Sequence, residues 1–174
     1  MIELARNIIT QAANQINIPL IFKPGRQTKI LAIPRLEFDI VSSDENRVDR
    51  LFCKLRDDNN SEHITHRIQT HEINLQTRCE IKVGKNQIDT FADIKKEFLQ
   101  AIPRKTMDND NNLVVINLGE AKYSGFEWNL VNVLKNCSVA YWIKFKGGLY
   151  IDKQVPLIRD VNLKDGVTYE KDKH

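Results

Sequence analysis

Ile73, Leu75, Thr77, Cys79, Ile81 and Val83 alternate with Glu72, Asn74, Gln76, Arg78, Glu80 and Lys82. A period of two over this stretch predicts a β-strand with one face buried and the other wet. Gly84-Lys85-Asn86 breaks the strand, and the period then changes. Ile88, Phe91, Ile94, Phe98, Leu99 and Ile102 fall on one stripe of a helix, with Asp93, Lys95, Lys96 and Glu97 outside it. Asp89 or Thr90 stands where the helix start is capped, and Pro103 forbids continuation.

Upstream, Ile2, Ala5, Ile8, Ile9, Ala12, Ala13 and Ile16 form a second helical stripe, closed by Pro19. Leu20-Ile21-Phe22 reads as a short strand and Lys23-Pro24-Gly25-Arg26 as a turn. The segment from Thr28 to Val41 is extended, with Pro34 suggesting an edge or a strand that begins at Arg35. Ser42 to Arg50 is polar and charged and reads as a loop or a short turn of helix. A hairpin is expected over about 51–68, with Asp57-Asp58-Asn59-Asn60-Ser61 at its hydrophilic tip.

Downstream, Arg104 to Asn112 reads as a polar loop, and the apolar run Leu113 to Leu118 as a well-buried strand. Gly119 to Gly125 is expected to be a loop, and Phe126 to Leu134 an irregular connector or a short strand. Cys137, Val139, Tyr141, Ile143 and Phe145 alternate with Ser138, Ala140, Trp142, Lys144 and Lys146, giving a second long strand whose polar face only Trp142 interrupts. Gly147-Gly148 is expected to be a sharp turn returning Leu149-Tyr150-Ile151 as a hairpin. The predicted class is α+β: a mostly antiparallel sheet, two helices packed on one face, and a projecting β-hairpin. A single domain spans 1–158, and residues 159–174 form a polar C-terminal arm. Ile81, Phe91, Ile94, Phe98, Val115 and Tyr141 are expected to share the core.

With 174 residues the chain can bury a core without a metal or disulfide staple. A net charge of +3 argues against a dedicated nucleic-acid binder, which would carry a dense Lys/Arg face. Cys53, Cys79 and Cys137 sit in apolar strand patterns and are expected to be buried thiols in a reducing compartment. The opening residues read as an amphipathic helix rather than a secretion signal, and no apolar run reaches bilayer length. A soluble protein made in the cytoplasm is expected.

Three patterns bear on chemistry. His63, His66 and His71 invite a metal reading, yet on a strand His63 and His66 point to opposite faces. Solvated histidines on a hairpin are the simpler account. Glu80-Ile81-Lys82 and Glu120-Ala121-Lys122 fit the E-x-K half of a metal-dependent nuclease site, in which two carboxylates hold Mg²⁺ and a lysine polarises water. Asp108 or Asp110 would be the partner acid for Glu120. A salt-bridged strand face explains Glu80 and Lys82 without catalysis. Lys144, Lys146, Lys153 and Arg159 make a weak basic patch that a solvated sheet edge explains equally well. The residues themselves indicate no catalytic group, no cofactor and no metal.

Four stretches together resemble the tail terminator, or neck-completion, proteins of long-tailed bacteriophages. They are the helix Ile2 to Ile16, the segment Ile33-Pro34-Arg35-Leu36-Glu37-Phe38-Asp39-Ile40, the strand-then-helix unit Glu72 to Ile102, and the strand Asn136 to Lys146 after Phe126-Glu127-Trp128. The match is one of pattern, since this family has no diagnostic residue set. The resemblance implies a structural virion protein at the tail–neck junction, assembled in the host cytoplasm and not an enzyme. Such proteins form a ring, usually a hexamer, on the tail tube protein and meet the head-completion or connector protein, with DNA only as cargo through the lumen. A ring needs contacts between unlike edges. The hairpin residues Asp57, Asp58, Asn59, His63 and His66 are expected at a subunit contact or the lumen, because a long polar hairpin has little reason to project unless it meets a partner.

Overall fold

The computed structural model describes residues 1–22, 32–56, 63–124 and 136–156. The elements are α1 (Ile2–Gln15), β1 (Leu20–Phe22), β2 (Arg35–Arg56), β3 (His63–Gly84), a 3₁₀ turn (Lys85–Gln87), α2 (Phe91–Ala101), β4 (Lys105–Met107), β5 (Leu113–Ser124) and β6 (Asn136–Pro156). One sheet runs β1-β2-β3-β6-β5-β4. Only the β1–β2 pair is parallel.

This corrects the α+β expectation. Strands hold 64% of the described residues, and the sheet curls into a six-stranded half-barrel with only two short helices. Element lengths explain the difference. The 14 residues of α1 reach about 21 Å at the usual helical rise. The 22 residues of β3 reach roughly 70 Å before curvature. Two short helices cannot form a second layer over strands of that length.

The long strands arise where breaks were expected. Ser42 to Arg50 continues β2 through register shifts at Ile40/Ser42, Arg47/Arg50 and Leu51/Cys53, so bulges absorb the polar segment without ending the strand. Gly119 to Ser124 continues β5. Gly147 and Gly148 do not turn; they lie inside β6, opposite Ile73 and Glu72. A Cβ at Gly148 would sit 2.7 Å from the His71 carbonyl oxygen, so glycine answers a close backbone approach there. The expected 51–68 hairpin is accordingly the end of a three-stranded arm, because β6 runs on beside β3 as far as the His63–Pro156 pair. Residues 57–62 at its tip lie outside the described residues, as do the 23–26 turn, the 126–134 connector and the 159–174 arm.

The core joins Ala5, Ile8, Ile9, Ala12 and Ala13 of α1, Phe91 and Phe98 of α2, and one face of β2, β3, β5 and β6. Asn17, at φ 52°, lets the chain leave α1 in the left-handed conformation that commonly ends helices. Thr90 precedes α2, but its hydroxyl donates back to the Gln87 carbonyl rather than capping the helix. Of the expected core set, Ile81, Phe91, Phe98 and Tyr141 are buried, whereas Ile94 and Val115 are half-buried. Leu113 and Leu118 are exposed, so the apolar run in β5 buries only alternate residues, Val114 and Ile116. Cys79 and Cys137 are buried, while Cys53, on the arm, is only half-buried; all three are free thiols.

Candidate functional site

On the sheet face opposite the core, β2 and β3 bring together the charges that the E-x-K pattern singles out. Glu37 and Glu80 are direct cross-strand partners, and Arg35 pairs with Lys82 one step along. Both carboxylates are almost fully buried, with Glu37 4% and Glu80 7% exposed. Lys82 Nζ donates to Glu37 Oε1 at 2.9 Å and lies 3.6 Å from Glu80 Oε2. Arg35 Nε donates to Glu37 Oε1 at 2.7 Å, and Arg78 Nη2 to Glu80 Oε2 at 2.8 Å. The Ser138 hydroxyl on β6 donates to Glu80 Oε1 at 3.0 Å and lies 2.6 Å from the Ser124 hydroxyl on β5. The network therefore stitches four neighbouring strands together through side chains.

Glu37 is the member that sequence reasoning missed. Its signal is the alternation Arg35, Glu37, Asp39, but its partners follow only from the antiparallel register. Two carboxylates and a lysine are the groups a metal-dependent nuclease would use. Here three cations and a hydroxyl already engage Glu37 Oε1 and both oxygens of Glu80, so a metal ion bridging the two carboxylates at these oxygens would have to displace Lys82 and Arg78. Among the described residues no group of three His, Cys, Asp or Glu side chains is placed to hold a metal.

Trp142, on this polar face, lies between two cations: Arg78 and Lys122 stand 5.7 and 5.1 Å from its ring centre. The second E-x-K pattern does not assemble. Glu120 is exposed next to a register shift in β5. Asp108 is spent on its own turn, where Oδ1 accepts from the Asp110 and Asn112 amides at 3.0 and 2.8 Å.

On the arm, His63 and His66 are half-buried, and the His63 Nδ1 atom is buried with no hydrogen-bond partner. Asp57, Asp58 and Asn59 lie outside the described residues. Two clusters fasten the arm's polar face. Arg67 donates twice to Asp152, at 2.9 and 3.0 Å, holding that carboxyl below its ordinary range. Glu72 is likewise held low, by the Asn74 amide first and then by Lys146 at 3.1 Å. Phe52 and Tyr150 meet edge to face at 5.0 Å.

No helix among the described residues is long and apolar enough to cross a membrane. In comparison with known proteins, no family model and no curated protein matches the chain.

Proposed function

We propose that this protein is a structural subunit of a tailed bacteriophage: a tail terminator that closes the tail tube as a ring, a hexamer in keeping with the resemblance, and joins it to the head connector. The observation that carries the reading, beside the pattern resemblance, is the sheet's two unlike open edges. β1 pairs with β2 only at Leu36–Phe38, leaving Ser42 to Leu55 with β3 on one side and no other strand among the described residues. β4 pairs with β5 only at Leu113–Val115, leaving Asn117 to Lys122 bordered by β6 alone among the described residues. Exposed strand edges invite pairing. Two different edges on opposite sides of one sheet suit the head-to-tail contacts that close into rings. In this reading the tube and connector proteins are the partners, DNA is cargo, and the chain catalyses nothing.

The Glu37, Glu80 and Lys82 grouping favours a second reading, a metal-dependent nuclease. It is the weaker one, because arginine and lysine already neutralise both carboxylates.

Light scattering and negative-stain microscopy, with and without the cognate tube protein, test the first reading. Rings, free or formed on tube ends, are expected. Monomers or two-fold dimers that leave tubes uncapped would overturn it. DNA cleavage with Mg²⁺ or Mn²⁺ that disappears in Glu80→Ala would replace it with the second.

A further inference from the structure

The core face of the sheet does not stop where the helices stop. β6 alternates without a register shift from Phe145 to Val155 on its own side, so Gly147, Leu149, Ile151, Lys153 and Val155 share the face that buries Ile143 and Phe145. A side chain at Gly147 would run into Met1, which marks where α1 begins to cover that face. Beyond Gly147 no helix lies over it among the described residues. Leu51, Leu149 and Ile151 are consequently 50%, 44% and 53% exposed.

The register orders this bare face into transverse rows. Leu51, Ile68 and Ile151 are aligned across β2, β3 and β6. The next row is Lys54, His66 and Lys153, and the one after it is Arg56, Ile64 and Val155. Rows two residues apart lie about 7 Å from one another, and neighbouring strands about 5 Å. The basic row thus has aliphatic positions on either side of it, Leu51, Ile68 and Ile151 inward and Ile64 and Val155 outward, at the spacing of alternate residues in an extended chain.

We propose that this face of the arm is a docking surface for an acidic amphipathic β-strand of a partner protein. The strand runs along the arm and presents apolar, acidic and apolar side chains at positions i, i+2 and i+4. Its carboxylate meets Lys54 and Lys153, and its apolar residues cover the rows on either side, in the manner of face-to-face sheet packing. A nucleic acid fits less well, because the five aliphatic positions that flank the basic row, Leu51, Ile68, Ile151, Ile64 and Val155, offer nothing to a phosphate backbone. The inference goes beyond the ring reading and requires only a single subunit.

The test uses the full-length protein and a fluorescein-labelled cyclic β-hairpin peptide that displays Ile-Thr-Glu-Thr-Ile on one strand. A matched hairpin carries Lys in place of Glu, and a labelled single-stranded oligonucleotide is the third probe. Fluorescence anisotropy should show the Glu hairpin binding at least about tenfold more tightly than the Lys hairpin. Lys54→Glu with Lys153→Glu should reverse that preference. Leu51→Ser with Ile151→Ser should weaken the Glu hairpin about tenfold while leaving the melting temperature within a few degrees of the parent. No binding up to about 1 mM overturns the proposal, as do equal affinities for the two hairpins or a preference that charge reversal leaves unchanged. Lysine-dependent binding of the oligonucleotide that exceeds the Glu hairpin overturns it in favour of a nucleic-acid surface.

Discussion

Glu37 and Glu80 face one another across adjacent antiparallel strands, two nearly buried carboxylates in direct register, and the Lys82 ammonium bonds one at 2.9 Å while lying 3.6 Å from the other. Like charges directly opposite destabilise a strand pair unless cations intervene. Lys82→Met should therefore cost about 2 kcal/mol, the worth of a charge-assisted hydrogen bond at a buried acceptor, moderated because Arg35 remains. Adding Glu37→Gln should recover much of that loss. Urea unfolding of the two single variants and the double variant measures the coupling; strictly additive losses would mean that the two groups act separately.

Phe98 is fully buried and stacks at 5.7 Å, tilted, on Tyr141. Phe98→Ala should cost roughly 3–5 kcal/mol. Ile94→Ala, one turn earlier on the same helix but half-buried, should cost about 1 kcal/mol. Equal losses would show that α2 is rotated from the orientation described.

Much of this was legible in the sequence, and the reason is local. The stripes at Ile2–Ile16 and Ile88–Ile102 and the alternations at 73–83 and 137–145 report helix or strand through side-chain period alone. Strand length is not local. Ser42 to Arg50 has the composition of a loop, yet a bulged strand holds it because β3 offers an unbroken partner. Gly147-Gly148 reads as a turn until one sees that the Gln69 side chain and the His71 carbonyl crowd that spot. The Glu80–Lys82 pair was visible, whereas Glu37, from a strand 43 residues earlier, could be added only once the Glu37–Glu80 register was known.

Thiol chemistry should separate core from arm. Burial raises the Cys79 thiol well above the ordinary thiol range and also raises Cys137, an effect the Lys95 charge partly opposes. An Ellman titration of the native protein should therefore modify Cys53 first, with Cys79 and Cys137 reacting only on unfolding. Fast reaction of more than one thiol in the native state would contradict the packing of β3 and β6.

Acid should loosen the arm. Asp152 is held below its ordinary 3.8 by the hydrogen bonds from Arg67, and Glu72 below its ordinary 4.5 by Asn74 and Lys146. A carboxylate whose folded pKa is depressed stabilises fully above its unfolded value, and that contribution disappears as pH falls through the folded one. Thermal stability should thus be insensitive to these two groups from neutrality down to about pH 5, and should decline below about pH 4. Asp152→Asn with Glu72→Gln should flatten the decline. An identical acid profile in the parent and the double variant would mean that neither carboxylate contributes.

Beyond the register shift at Gln69/His71, β3 and β6 keep a single register from Gln69–Tyr150 out to His63–Pro156, and pleat parity decides which side chains face the bare surface. Unless a further bulge takes up the difference, the arm's length changes by concerted steps: two residues added to or removed from β2, β3 and β6 together lengthen or shorten the reach by about 7 Å and keep every row on its face. A one-residue change in a single strand would instead turn that strand's outer end over and put Arg67 or Asp152 where Ile68 or Ile151 stood. Variation among sequences of this kind should accumulate as matched pairs of residues in three distant places, a constraint on reach that no single segment reveals.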